Sequence, residues 1–154
     1  MKISIIVILI TVTAAVVLWK KTGRGVYRPL SFVPLGISEL LDRGFDGGFM
    51  IFKHENSEKF IQLSKWIKGN DCGLELSFPI VAWSSGYADE LKEFCKEEEL
   101  KFKVTKGSDG MEFIDINFSS NVTAAANCAE HILLSIFNIP ESDSYYVQLE
   151  GASA

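Results

Sequence analysis

The sequence predicts an α+β fold, with one N-terminal transmembrane helix followed by one domain built on a mainly antiparallel sheet. Three observations lead there. Residues 3–19 form an uncharged apolar run. Behind it, short segments rich in β-formers are interleaved with segments whose apolar residues recur at helical spacing. Glycine and Asn/Asp/Ser clusters separate these segments at lengths suited to hairpins and helix caps. The expected organisation is an anchor over residues 1–21, a basic Gly/Pro linker over 22–36 and an acidic α+β domain over 37–154.

From Ile3 to Trp19 the only polar residues are Ser4, Thr11 and Thr13. At about 1.5 Å per residue the run spans about 25 Å, a little short of a hydrocarbon core of roughly 30 Å. Trp19 at the interface and Lys2, Lys20 and Lys21 reaching outward close the gap. The competing reading is a signal peptide cleaved after Val12-Thr13-Ala14, which would release a secreted or periplasmic binding domain. The apolar run continues through Ala15 to Trp19 beyond that point, which favours an anchor. Lys20, Lys21, Arg24 and Arg28 outnumber the basic groups before the run, so the positive-inside rule puts the domain on the cytoplasmic side of a single-pass protein.

Residues 1–29 carry five basic and no acidic residues. All 20 acidic residues and the other 10 basic ones follow, so the remainder is net −10 against −5 for the whole chain. A basic juxtamembrane segment suits an anionic membrane surface, whereas a domain of that charge is a poor match for nucleic acid. Cys72, Cys95 and Cys128 are odd in number, without a C-x-x-C pair, and read as small core hydrophobes. Asn117-Phe118-Ser119 and Asn121-Val122-Thr123 match a glycosylation pattern that matters only in an extracytoplasmic eukaryotic domain.

Within the domain the spacing predicts a short helix over Ile37–Arg43, ended by Gly44, and a strand over Phe49–His54. Lys59–Ile67 fits either a helix or a strand; the absence of alanine and the wealth of β-formers favour a strand. Gly73–Phe78 alternates cleanly and Pro79 ends it or sets it at an edge. Ser84 and Ser85 are candidate N-caps for a helix from Tyr87 to about Leu100, with Tyr87, Leu91, Phe94 and Cys95 inward. Lys101–Thr105 and Met111–Phe118 flank Gly107–Gly110 as a hairpin. Asn121 caps a long helix ending near Asn138, and Tyr145–Leu149 is the last strand. The series is helix, three-strand meander, helix, hairpin, helix, strand. With Lys59–Ile67 as a helix it becomes a ferredoxin-like βαββαβ unit with an extra βα in front.

That series, with Lys59-Phe60-Ile61-Gln62-Leu63 and Leu74-Glu75-Leu76-Ser77-Phe78-Pro79, resembles small acidic bacterial proteins with a secretion-chaperone-like α+β fold, over roughly residues 37–150. The resemblance implies peptide or partner binding without catalysis, often as a homodimer. The N-terminal apolar run departs from those soluble proteins.

Little in the sequence argues for catalysis. His131 reads as a helix-flank histidine. His54, with Glu55 and Glu58 nearby, is a metal candidate, but local sequence shows no three or four converging ligands. Trp83-Ser84-Ser85-Gly86 lacks the G-x-S-x-G frame of a nucleophile elbow, and helix capping accounts for both serines. There is no Walker loop and no G-x-G-x-x-G, so no cofactor is expected. Glu112 and Asp115 read as solvated charges on an edge strand. The function expected is a membrane-anchored, non-catalytic interaction domain; the alternative is an enzyme with a dispersed, metal-dependent site through His54 or His131. The expected contact region is the hairpin Lys101–Phe118 with the final strand, where Tyr145 and Tyr146 alternate so that one ring is buried and the other is a binding residue.

Overall fold

Alternating apolar residues zip seven segments into one antiparallel sheet in the computed structural model, which describes residues 25–154. The strands are β1 (Val26–Pro29), β2 (Gly44–His54), β3 (Phe60–Lys68), β4 (Asp71–Ile80), β5 (Phe102–Lys106), β6 (Glu112–Ser119) and β7 (Ser144–Ala152). Their spatial order is β1-β7-β2-β3-β4-β6-β5. Helices α1 (Val33–Arg43), α2 (Ala88–Glu97) and α3 (Val122–His131) all pack on one face, in one core with Met50, Phe52, Ile61, Leu63, Leu74, Leu76, Phe78, Ile114 and Ile116. The class is α+β.

The expected architecture is corrected in two respects. The segment assigned as linker supplies β1, a 3-10 turn at Leu30–Phe32 and the start of α1, so the sheet gains a seventh strand. Its prolines misled because they sit where proline is tolerated: Pro29 ends an edge strand and Pro34 opens a helix. Residues 60–68 are a strand paired with both β2 and β4, which rules out the ferredoxin-like arrangement. The transmembrane assignment of residues 1–21 lies outside the described residues. Among those described, no helix is long and apolar enough to cross a membrane.

Each helix owes its seat to a particular stripe. Val33, Ile37 and Leu40 of α1 are 0% exposed, at i, i+4 and i+7. Gly36 lets α1 close on the sheet, since a Cβ there would stand 2.9 Å from Met50 Sδ. In α2, Leu91 and Cys95 point inward, but its N-terminus lacks the expected serine cap. Ser84 instead donates to the carbonyl of Pro79 and accepts from the amide of Val81 at 3.0 Å, closing the loop after β4. Asn121 does cap α3, accepting from the amide of Ala124 at 3.0 Å. Ala125, Ala126 and Ala129 allow close packing, and the helix then widens into a π turn over Ile132–Ile136. The Phe137 amide closes that turn on the Ile132 carbonyl at 2.8 Å, and Phe137 packs between Phe78, Trp83 and Tyr87.

Helix ends leave carbonyls without partners, and two lysines, one in β3 and one just before it, reach them. Lys65, 8% exposed, donates to the Leu41 carbonyl, and Lys59 donates to the Phe137 carbonyl at 2.9 Å. Cys72, Cys95 and Cys128 are free thiols. Burial pushes Cys95 up to about 11 and, with Cys95 beside it, raises Cys128 further, so both are inert packing groups. His131 stacks on Phe94 at 3.8 Å between centroids.

Candidate functional site

The two tyrosines of β7 part company as strand alternation requires. Tyr145 is 1% exposed in the helix-side core, 6.2 Å from His54 between ring centroids. Its hydroxyl has no hydrogen-bond partner among the described residues, and burial, then the Asp143 carboxylate, pushes its pKa up to about 12. Tyr146 faces the other way and is half-buried; its hydroxyl accepts the Gly25 amide at 2.7 Å and its ring meets Tyr27 edge-on at 5.4 Å. Strand β7 is not a sheet edge, because β1 and β2 flank it. Tyr27, on the edge strand β1, is the exposed ring of this group at 63%.

His54 is neither a solvated turn residue nor free for a metal. It is 7% exposed, with Nδ1 at 2.6 Å from Ser57 Oγ and Nε2 at 2.8 Å from Asp143 Oδ2. Among the described residues no group of three or more His, Cys, Asp or Glu could hold a metal ion. Ser57 Oγ also accepts the Lys59 amide at 3.3 Å, while Glu55 and Ser144 exchange two further bonds. These contacts clasp the β2–β3 turn to the segment before β7, which positions Tyr145.

The helix-free face carries the feature that local sequence did not reveal. In register across six strands stand Gln148, Ile51, Gln62, Ser77, Asp115 and Lys103. Gln148 and Gln62 are each 2% exposed, and the side-chain oxygen of each lacks a partner among the described residues. Asp115 is 3% exposed, accepting Ser77 Oγ at 2.8 Å and Thr105 Oγ1 at 2.7 Å. It lies on β6, an internal strand, so the expectation of a solvated edge carboxylate is corrected. Next to it, Glu75 has its pKa raised by burial first and by the Asp115 charge second. Trp66 lies over Gly73 on this face, where a Cβ would stand 2.4 Å from the indole. Register could have disclosed the row, but register is a property of strand pairing that one sequence does not show.

Strand β5 borders the row and is the sheet's other edge, paired among the described residues only with β6. Lys103 and Lys106 are exposed on it and Lys101 just before it, and Val104 is 47% exposed. A basic edge therefore stands on a domain of net negative charge. Compared with protein-family models, curated proteins and solved structures, the chain matches none.

Proposed function

We propose that this chain is a membrane-anchored, non-catalytic interaction domain whose edge strand β5 receives an extended, acidic segment of a partner protein. The observation that supports it is β5 itself, with one side paired and lysines at 101, 103 and 106. An unpaired strand edge offers main-chain donors and acceptors to an incoming strand. Lysines deter a second copy of the same basic strand and favour an acidic one, so charge supplies selectivity where the main chain supplies affinity. Ile3–Trp19 provides the tether, and the basic residues behind it hold the domain near an anionic surface.

The test is lysine-directed cross-linking of the full-length chain in the membranes of cells that express it. An adduct joined through Lys101, Lys103 or Lys106, and lost in Val104→Asp with the fold intact, is the expected result. An adduct mapping elsewhere, or one indifferent to Val104→Asp, overturns the reading. The tether is checked separately: the chain should stay with the membrane pellet after carbonate extraction, and its recovery in the soluble fraction would remove the anchor.

A further inference from the structure

At the edge opposite β5, a groove of about 480 Å³ opens between α1 and strands β1 and β7. That volume falls in the range of sites that take drug-sized ligands, roughly 300–1,000 Å³. Met50, Val147 and Leu149 contribute an apolar lining from the sheet, and Val26 and Phe32 extend it from the edge strand and the turn that follows. Two guanidinium groups also line it, and they differ in what they already hold.

Arg43 is occupied. It donates from Nε and Nη2 to the Ser153 carbonyl at 3.1 and 2.7 Å and pairs with Glu39 at 3.5 Å, fastening the C-terminal tail to the end of α1. Arg28 is stacked on the Phe32 ring at 5.0 Å and makes no hydrogen bond or ion pair with a described residue. Its planar fork of donors is thus set against the Phe32 ring, and no described residue takes up its hydrogen-bonding capacity. A preoriented guanidinium beside an apolar trough suits a ligand with an anionic head and an apolar tail.

We infer that this groove binds a single-chain amphipathic carboxylate, with the head group on Arg28 and the alkyl chain along Val147, Leu149 and Met50. A carboxylate matches the bidentate geometry of a guanidinium, and the trough has the size for one chain rather than for a two-chain phospholipid. This inference goes beyond the proposed interaction role and is independent of β5.

The experiment uses the full-length chain with phosphatidylcholine nanodiscs present and a dodecanoate bearing a diazirine on its alkyl chain. Photolysis should attach the label to the peptides containing Met50 and Val147–Leu149. Unlabelled dodecanoate should suppress labelling there and dodecanol should not. Arg28→Gln should lower labelling roughly tenfold, the loss expected when one charge-assisted contact goes. Leu149→Glu should abolish it, and thermal unfolding of each variant reports whether the fold is kept. Equal competition by dodecanol, undiminished labelling of a folded Arg28→Gln, label confined to residues outside the groove, or capture only when the diazirine is carried by a phospholipid would each overturn the inference.

Discussion

The two faces of the sheet bury side chains to similar depth by different means. Under the helices, Leu63, Leu74, Leu76, Ile114 and Ile116 are 0% exposed, and the lysines that border them, Lys59 and Lys65, both end on helix-terminal carbonyls. On the opposite face the central row is mostly polar: Gln148, Gln62, Ser77 and Asp115 are all at or below 3% exposure, and two amide oxygens go unpaired among the described residues. Apolar burial is rewarded by area, at about 25 cal/mol per Å². A buried polar group gains nothing unless it finds a partner, and an unpaired one costs about 1–3 kcal/mol. The helix side is thus where stability is concentrated, whereas the polar row is tuned by hydrogen bonds and charge.

Single substitutions on each face sharpen that contrast. Truncating Leu63→Ala on β3, or Ile132→Ala in the π turn that follows α3, should destabilise the chain by about 2–5 kcal/mol in urea denaturation. Asp115→Ala on the polar row strips the Ser77 and Thr105 hydroxyls of their acceptor, and the cost should be about 1–3 kcal/mol. Asp115→Asn, which keeps an acceptor, should cost less; equal costs for the two would remove Asp115 from its bonding role.

The pH response separates the faces again. Glu75 has a folded pKa above its ordinary 4.5, so the folded state binds the proton more tightly than the unfolded one. Its contribution is complete below about 4.5 and is lost as pH rises through the folded value. Glu75→Gln should remove that decline, and an unchanged stability-against-pH curve would sink the assignment. The smallest effect is expected from Gln62→Met, which exchanges an unpaired amide oxygen for a group of similar shape. Stability should stay level or rise, and a loss comparable to that of Leu63→Ala would show that the Gln62 amide is bonded after all.

Much of the secondary structure was legible one segment at a time, because alternation and helical spacing are local. Gly73–Phe78 reads as a strand and is one; Asn121 reads as an N-cap and accepts from Ala124. Chemistry that depends on neighbours distant in sequence was not legible. His54 meets Asp143 across 89 residues, and Lys65 reaches a carbonyl on a helix that its own segment never mentions. Ser84 looked like a cap, since a cap and a loop-closing hydroxyl have the same local sequence.

The sequence alone determined the α+β class, the acidic charge of the domain against its basic N-terminal segment, and which side chains of each strand share a face. Those are consequences of residue type and of periods of 2 and 3.6. The tertiary structure decided which strands are edges. Residues 26–29, read as linker, become the edge β1 and turn β7 into an internal strand, so the pairing edge expected at Tyr145 and Tyr146 is taken. It also decided that six polar and apolar residues from six strands stand in one row. Edges and rows depend on which strands pair and in what register, and that is fixed by the chain's choice among distant partners rather than by any single segment.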